Sequence, residues 1–394
     1  MNANNTIAVV GAGISGLAVA IALRNIGVNV EIFEQAATFK RIGAAINMTP
    51  NAVKVLDGLG IGTPVRKTAH VPPYRISRMW DTGAETSRVE LGNIAKKKYG
   101  TPMLLMHRAD LLRALESAVP SQFVHMNKKL ARLKNEGNSV VLVFEDRSSF
   151  VADGVIGADG IHSVVREQLF GPEAPMFTGM VAYRSIIPAK LLDGEDLNNF
   201  VKWWGPTPQS QIVMFLISRG KEFFIFATIP EADEDIESWS MEGDVGALRS
   251  HFANFHGDAR RVLNACDKTL RTALYERNPL DRWSKGAVTL IGDACHPMMP
   301  FMAQGAAMGL EDAAVLSRCI DAGEEWSTTI LRYERTRIER ASKIQLGSNQ
   351  NEWLREPGNP DWVYGYDAWR VALNGSVNGE GTLGEIIRDH GKSA

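Results

Sequence analysis

Three glycines and one carboxylate near the start of the chain have the spacing of a phosphate-binding turn. Gly11, Gly13 and Gly16 form a GxGxxG pattern, and Glu34 follows downstream. The first glycine permits a tight turn, the second lets a pyrophosphate approach the backbone, and the third allows close packing of the following helix. The acidic side chain can then bind ribose hydroxyls. The pattern predicts a dinucleotide site; a glycine-rich turn without a ligand is the alternative.

The residues around this turn predict the strand–helix–strand unit that must position it. Residues 7–10 are a short apolar run that ends directly at Gly11, as in a strand buried on both faces. Residues 15–24 are rich in leucine and alanine and predict a helix, with Gly27 past its end. A second strand is predicted over residues 30–33, directly before the acidic residue.

Two later segments again combine a buried strand with a glycine and a carboxylate. Asp159 lies in a Gly-Ala-Asp-Gly sequence that follows an apolar run. Asp293 follows the apolar run 287–291, and a helix rich in glycine and alanine is predicted over residues 305–316. Together the three segments predict one dinucleotide bound by a discontinuous domain, so redox chemistry is the leading interpretation.

Composition excludes several other classes of protein. With 394 residues the chain can form two interleaved domains and a tail, and its net charge of −2, without a Lys/Arg tract, argues against nucleic-acid binding. The three cysteines, Cys266, Cys295 and Cys319, lack metal-ligand spacing and favour reduced thiols in a cytoplasmic enzyme. Residues 7–23 are apolar but carry three glycines and no basic flank, so neither a signal peptide nor a membrane span is expected. We predict no metal site.

The motifs together resemble the single-component flavin-dependent aromatic hydroxylases, the class of p-hydroxybenzoate and salicylate hydroxylases. The resemblance rests on GxGxxG, on GADG with Ser163 and Arg166, and on GDACHP followed by Pro300 and Gly305, and it spans most of the chain. It implies an α/β fold: a discontinuous Rossmann-like FAD-binding domain of the GR2 type, an inserted, mostly β substrate domain and a helical C-terminal tail. The expected FAD-binding domain comprises residues 1–72, 100–172 and 276–345, the substrate domain 73–99 and 173–275, and the aromatic-rich tail 346–394.

The resemblance also implies which residues bind the cofactor. The glycine turn and Glu34 would hold the AMP half of FAD, Arg41 and Arg108 would contact the diphosphate and ribityl region, and Asp293 would bind the ribityl hydroxyls. The two arginines could instead be surface charges, and His296 is expected to be a structural histidine. The full predicted set is Gly11, Gly13, Ser15, Gly16, Glu34, Gln35, Arg41, Ala45, Arg108, Asp159, Asp293, Pro300, Gly305 and Ala306.

The implied reaction is hydroxylation of a phenolic or hydroxypyridine ring through a flavin C4a-hydroperoxide, with or without loss of a ring carboxylate. NADH, or alternatively NADPH, and O2 would be co-substrates; no second GxGxxG is present, which fits transient binding of the nicotinamide. An apolar hairpin is predicted over residues 212–228, and its side chains either line the ring pocket or pack in the sheet core. The predicted ring contacts are Asn47, Tyr183, Met214, Phe215 and Phe301.

Two of these positions separate the chain from the members of the class that act on hydroxynicotinate. Those members resemble this chain in further segments but have histidine where it has Asn47 and Phe301. An asparagine cannot accept a proton near neutral pH, so Tyr183 or an ordered water would assist deprotonation. The predicted partner is a small aromatic molecule, and the tail would fold back on the body or meet a second subunit of a homodimer. An FAD-dependent dehydrogenase or oxidase and a non-catalytic flavin-binding sensor are the alternatives.

Overall fold

The computed structural model describes residues 5–39, 44–136, 139–194, 196–232, 241–320 and 324–374. The strands, in chain order, are β1 (Thr6–Val10), β2 (Asn29–Phe33), β3 (Ala45–Met48), β4 (Tyr74–Met79), β5 (Glu85–Glu90), β6 (Leu104–His107), β7 (Val124–His125), β8 (Leu130–Glu136), β9 (Ser139–Phe144), β10 (Ser149–Ala152), β11 (Gly154–Gly157), β12 (Met176–Pro188), β13 (Phe200–Trp204), β14 (Gln211–Ile217), β15 (Glu222–Pro230), β16 (Met241–Glu242), β17 (Leu270–Glu276), β18 (Ser284–Lys285) and β19 (Val288–Leu290).

The α-helices, in chain order, are α1 (Ile14–Asn25), α2 (Pro50–Gly58), α3 (Gly62–Arg66), α4 (Asn93–Tyr99), α5 (Arg108–Glu116), α6 (Val164–Phe170), α7 (Val245–His251), α8 (Gly257–Asn264), α9 (Gly305–Arg318), α10 (Trp326–Gln350) and α11 (Asp361–Tyr364). Within the described ranges no helix is both long and apolar enough to cross a bilayer.

A six-stranded sheet in the order β18-β19-β11-β1-β2-β7 carries the predicted strand–helix–strand unit. The pairs from β19 to β7 are parallel, and only β18 runs antiparallel to its neighbour. Ile7, Ala8 and Val9 of β1 are fully buried, because helices and further chain cover both faces of a parallel sheet. The buried helix α9 packs against α1, α2 and α10.

An eight-stranded, mostly antiparallel sheet in the order β16-β17-β12-β15-β14-β13-β4-β5 forms the second layer; only β13 and β4 pair in parallel. One face of this sheet forms a core with α7 and α8 that contains Ile212, Ile225, Leu248 and Phe252. The other face is turned toward the six-stranded sheet and, as described below, lines a cleft. The mixed α/β architecture agrees with the predicted fold class.

The C-terminal segment folds back on the body of the protein. The Arg75 guanidinium donates to the carbonyl oxygen of Leu354 at 3.0 Å, Lys54 Nζ to that of Gly365 at 3.0 Å, and Arg318 to that of Ala368 at 2.9 Å. Residues 346–350, at the start of the predicted tail, form the C-terminal end of α10, and residues 375–394 lie outside the described ranges.

Candidate active site

The separate motifs meet because their strands are neighbours in the parallel sheet. The order β19-β11-β1-β2 places four strands side by side, and each ends at one of the predicted ligand-binding segments. Gly11 follows β1, Asp159 follows β11, Asp293 follows β19 and Glu34 follows β2. Since the carboxyl ends of parallel strands lie at one edge of a sheet, this edge forms the crevice in which such folds bind nucleotides.

The three glycines of the first turn serve different purposes. Gly11 has a φ of 101°, and a Cβ there would lie 2.5 Å from the carbonyl oxygen of Ala158. A Cβ on Gly16 would overlap the carbonyl oxygen of Gly11, whereas a Cβ on Gly13 would meet no atom within 4 Å. The fold itself therefore requires Gly11 and Gly16, and Gly13 faces open space of the kind that a pyrophosphate needs.

The N-terminus of α1 begins at this open space. Gly13 is its N-cap residue, and no side chain caps its first N–H groups, so they are available to an anion. Ser15 packs closely against Gly292 of the GDACHP segment and against Gly309 of α9. A Cβ on either glycine would overlap the Ser15 hydroxyl. These two glycines bring the GDACHP segment and α9 to the start of α1.

Glu34 lies beside the glycine turn and already has backbone partners. Its carboxylate accepts hydrogen bonds from the N–H groups of Ala12 and Ala36, both at 2.8 Å. Gln35 next to it is exposed. The predicted contact of Arg41 with FAD lies outside the described residues.

Asp159 acts locally as a helix-capping side chain. Its carboxylate accepts hydrogen bonds from the Ser163 hydroxyl and from the Val165 N–H group, the latter at 3.1 Å, at the start of α6. Burial raises the pKa of Asp159 despite these bonds. The residue stands at the predicted edge of the sheet, with much of its hydrogen-bonding capacity used by α6.

Asp293, unlike Asp159, does not cap a helix of the described chain with its carboxylate. It lies in a 3-10 turn, Gly292–Ala294, and within the described chain its carboxylate has no hydrogen bond or ion pair. The side chain opens into the cleft although protein surrounds it, and this burial raises its pKa, while the charges of His296 and Arg108 oppose the shift. A carboxylate with vacant acceptor sites suits the hydroxyl groups of a ribityl chain.

A buried ion network holds the GDACHP segment in place. Asp312 of α9 accepts from the Gly292 N–H group at 3.0 Å, from His296 Nε2 at 2.6 Å and from Arg337 Nε at 2.9 Å. Arg337 also donates to Glu311 at 2.7 Å. His296 is 2% exposed and serves in this network, which agrees with its expected structural role.

A cleft of about 440 Å³ joins the edge of the parallel sheet to the second sheet. Its lining includes many of the residues predicted from the sequence. From the predicted FAD set these are Gly13, Ser15, Ala45, Arg108, Asp293, Pro300, Gly305 and Ala306, and from the predicted ring contacts they are Asn47, Phe215 and Phe301.

The prediction that Tyr183 and Met214 face the ring is wrong. Side chains alternate between the two faces of a strand, and in β12 and β14 it is Arg184, Val213 and Phe215 that line the cleft. Tyr183 and Met214 belong to the core beneath α7 and α8. Burial also raises the pKa of the Tyr183 hydroxyl, against the opposing charge of Arg271, and this hydroxyl does not line the cleft in which a ring would be deprotonated.

Three basic side chains on the sheet face of the cleft were not predicted from the sequence. Arg75, Arg184 and Lys202 line it together with Gln211, and each of the four is at most 4% exposed. One signal was available: β13 reads Phe-Val-Lys-Trp-Trp, and a lysine in the middle of so apolar a strand is unusual unless it has a specific role.

Comparisons with known proteins agree with this geometry. The family model described as "FAD binding domain" matches residues 4–346. The 6-hydroxynicotinate 3-monooxygenase of Bordetella bronchiseptica is 39% identical over 95% of this chain and 98% of its own length. The 3-hydroxybenzoate 6-hydroxylase of Polaromonas naphthalenivorans is 30% identical over 92% of this chain and 91% of its own length.

Solved structures of flavoproteins superpose on this chain over most of its length. A salicylate hydroxylase substrate complex superposes with a TM-score of 0.80 at 25% identity, covering 92% of this chain and 96% of that one. Klebsiella pneumoniae HpxO complexed with FAD and uric acid has a TM-score of 0.78 at 25% identity, covering 88% and 87%. The chain therefore belongs to the FAD binding domain family and, within it, to the flavoprotein aromatic monooxygenases, as its motifs predicted.

Proposed function

We propose that the chain is an FAD-dependent, NAD(P)H-consuming monooxygenase that hydroxylates a phenolic or hydroxypyridine-type ring. The observation that carries this proposal is the continuity of the cleft, which runs from the glycine and carboxylate edge of the parallel sheet to the face of the second sheet. The activities after which the relatives are named, those of a hydroxynicotinate monooxygenase and a hydroxybenzoate hydroxylase, support a ring of this kind. FAD, when bound and reduced, supplies the activation of O2.

The residues present fit FAD. Three features support binding of a diphosphate and of a polyhydroxyl chain: the open space at Gly13, the N-terminus of α1, which has no side-chain cap in the described chain, and the carboxylate of Asp293, which is unbonded among the described residues. Arg108, at the start of α5, adds a positive charge to the cleft. We assign the diphosphate to the α1 end and the ribityl hydroxyls to Asp293.

The second sheet supplies the ring site. Phe215, Phe224 and Phe226 line the cleft on the sheet side, and Phe301 lines it on the side of the GDACHP segment. Such aromatic walls hold a planar ring and exclude water. Their arrangement therefore favours an aromatic substrate in this part of the cleft.

Asn47 supplies a polar group in the same cleft. Its Oδ1 atom is buried and, within the described chain, accepts no hydrogen bond. An amide oxygen accepts but does not take up a proton. We infer that Asn47 orients a ring O–H or N–H group and that water removes the proton.

The proposal is tested with purified, FAD-loaded protein and a panel of hydroxybenzoates and hydroxypyridines. NADH and NADPH oxidation, O2 uptake and product mass are measured for each compound, and product mass also shows whether a carboxylate is lost. We expect the aromatic compound to stimulate NADH oxidation and to be converted to a product that contains one additional oxygen atom.

Protein that stays colourless after reconstitution contradicts the proposal. Ring binding without any change in basal NADH oxidation would instead favour the flavin-binding sensor, and two-electron oxidation of a substrate without oxygen insertion would favour the dehydrogenase or oxidase.

Several finer features stay predictions. NADH rather than NADPH as reductant, the homodimer and the cytoplasmic location follow from the sequence reasoning alone. The three cysteines are free thiols and buried, which is compatible with a reducing compartment. Sedimentation analysis of the FAD-loaded protein measures the subunit number.

A further inference from the structure

Lys202 is a buried cation on the face of the cleft. It lies at the centre of β13 and is 1% exposed. Its Nζ donates to Asn351 Oδ1 at 2.9 Å and lies 3.5 Å from the centre of the Trp204 ring. In the described part of the chain no carboxylate pairs with Lys202, although an ammonium group has three N–H donors and buried charges are normally paired.

The strand register gathers other polar groups near this lysine. In the parallel pair of β13 and β4, Lys202 lies opposite Ser77, and Arg75 lies opposite Phe200 two positions away on the same face. Arg75 is also buried, and its hydrogen-bond partners in the described chain are the Ser77 hydroxyl and the carbonyl oxygens of residues 353 and 354, which are neutral. Two neighbouring cations therefore lack an anionic partner among the described residues.

Gln211 lies on the other side of the lysine. In the antiparallel pair of β13 and β14, Lys202 faces Val213 and Gln211 faces Trp204, so Lys202 and Gln211 are diagonal neighbours on one face, a spacing of roughly 7–8 Å. Gln211 is 1% exposed and lines the cleft, yet neither its Oε1 nor its Nε2 atom has a hydrogen-bond partner in the described chain. A buried amide with both polar atoms unbonded is costly unless a ligand completes it.

We propose that Lys202 and Gln211 form a subsite for an anionic oxygen substituent of the aromatic substrate, with Lys202 supplying the charge and Gln211 a neutral hydrogen bond. This inference rests on the proposed function and adds the substrate group that the sheet face recognises. A ring carboxylate and an ionised ring hydroxyl share the required chemistry, namely a charged oxygen in the plane of a ring, and the test below distinguishes them.

The charges around Lys202 support an anionic ligand. Burial, together with the charges of Arg75 from β4 and Arg355 from the C-terminal segment, lowers the pKa of Lys202 well below its ordinary value. An anion beside this amino group acts in the opposite direction, so binding should raise the pKa of Lys202. Calorimetry in buffers of different ionisation enthalpy measures any proton that binding takes up, without any turnover.

The experiment compares acids with their uncharged amides on the FAD-loaded protein. The probes are 6-hydroxynicotinate with 6-hydroxynicotinamide, 3-hydroxybenzoate with 3-hydroxybenzamide, and phenol. Affinities are measured by calorimetry and by flavin absorbance for the wild type, Lys202→Met, Lys202→Arg and Gln211→Leu. Lys343→Met is the matched control, since Lys343 also lies over a tryptophan, 4.8 Å from the centre of the Trp362 ring, but is exposed and does not line this cleft.

For a carboxylate ligand we expect the wild type and Lys343→Met to bind the acids about 10- to 100-fold more tightly than the amides, the range of a charge-assisted hydrogen bond. Lys202→Met should bring this ratio close to one, Lys202→Arg should keep most of it, and Gln211→Leu should weaken acid and amide by a similar factor. For an ionised hydroxyl, acids and amides bind alike, phenol binding strengthens as the pH approaches the phenol pKa, and Lys202→Met removes that increase.

Other results overturn the subsite. One is a wild type that shows neither an acid preference nor the pH-dependent gain in phenol affinity, a measurement that needs no variant to fold. Another is a folded Lys202→Met protein that keeps both the wild-type acid-to-amide ratio and the wild-type pH dependence of phenol binding, even if its affinity for every probe falls by the same factor, as for a purely structural lysine. If no probe binds and none stimulates NADH oxidation, the proposed function itself fails and the subsite with it; probe binding by Lys202→Met with both the ratio and the pH dependence unchanged refutes the subsite alone.

Discussion

Single residues in the glycine turn separate the demands of the fold from those of the ligand. Gly16 is enclosed by the backbone of Gly11, whereas the Cβ position of Gly13 is open and its φ of −73° suits any residue. The same residue type therefore has two physical roles three positions apart, and substitution by alanine can distinguish them.

We expect Gly13→Ala to fold normally without cofactor and to bind FAD much more weakly, because the added methyl group occupies only the space left for the diphosphate. Gly16→Ala should lower the melting temperature of the cofactor-free protein, because its Cβ overlaps the Gly11 carbonyl oxygen. Thermal unfolding of both apoproteins and FAD titration by fluorescence quenching provide the measurements. Equal melting temperatures for the two apoproteins would contradict this assignment.

Asp293 gives a second prediction at the same scale. Its carboxylate is open to the cleft and unbonded within the described chain, so Asp293→Asn should cost little stability. It should weaken FAD binding about 10-fold or more, since a hydrogen bond from a hydroxyl to a charged acceptor is worth roughly 1.5–3 kcal/mol. Equilibrium dialysis measures the affinity and urea unfolding the stability. Asp110→Asn, in the half-buried first turn of α5 and outside the cleft lining, is the control, and an unchanged FAD affinity in Asp293→Asn would exclude the assigned role.

At the scale of elements, the alternation of β14 decides which side chains can meet a substrate. Val213 and Phe215 line the cleft, while Met214 between them packs in the core with Ile212 and Ile225. The direction of each side chain follows from the two-residue period of a strand. Which face turns toward the cofactor depends on how the whole sheet is placed.

Adjacent substitutions in this strand should therefore have opposite effects. Val213→Trp fills the cleft, so we expect loss of ring binding with FAD still bound. Met214→Ala leaves a hole in the core and should lower the free energy of unfolding by about 2–5 kcal/mol with little change in ring affinity. Ligand-induced changes in flavin absorbance and urea unfolding test the pair. If only Met214→Ala, and not Val213→Trp, lost ring affinity, Met214 would be a ring contact after all.

For the whole molecule, the ion network beneath the cleft joins distant parts of the chain. Asp312 and Arg337 link the GDACHP segment to α9 and α10, and Arg340 donates both to Glu311 and to the carbonyl oxygen of Trp362 in the C-terminal segment. Burial alone would raise the pKa values of Asp312 and Glu311, but the charges of their partners outweigh it and lower both. The network therefore stabilises the folded protein above the ordinary carboxyl pKa range, and this stabilisation is lost as the pH falls through the lowered pKa values.

We expect Arg337→Met to lower the free energy of unfolding by about 3–5 kcal/mol at pH 7, because it removes the one guanidinium that the described chain shows bonded to both buried carboxylates, Glu311 and Asp312. The difference in free energy of unfolding between this variant and the wild type should become smaller below about pH 4, where carboxyl groups become protonated. Urea unfolding between pH 3 and 7 measures this difference. Arg66→Met breaks the exposed pair with Asp57 and should cost about 1 kcal/mol or less. A pH-independent difference for Arg337→Met would argue against the electrostatic explanation.

The two sheets also support the predicted division of the chain, which stays a proposal. The strands of the eight-stranded sheet fall within residues 74–90 and 176–276, close to the proposed substrate domain, and the six-stranded sheet comes from the remainder. The two sheets meet at the cleft, where one carries the ligand-binding turns and the other the ring-facing aromatic side chains.

Local sequence patterns predicted the nucleotide end of the proposed site. Gly11, Gly13, Asp159 and Asp293 could be found from the sequence because strand ends, tight turns and helix starts depend on neighbouring residues, and the known order of such motifs implied a common sheet edge. Tertiary structure decided the substrate end. Tyr183 and Met214 satisfied the same apolar pattern as Phe215, and only the packing of α7 and α8 against one face of the sheet determined which of them reaches the cleft. Lys202, Arg75 and Gln211 became visible as one group only through the pairing of β4, β13 and β14, because contacts between strands far apart in sequence depend on register rather than on local pattern.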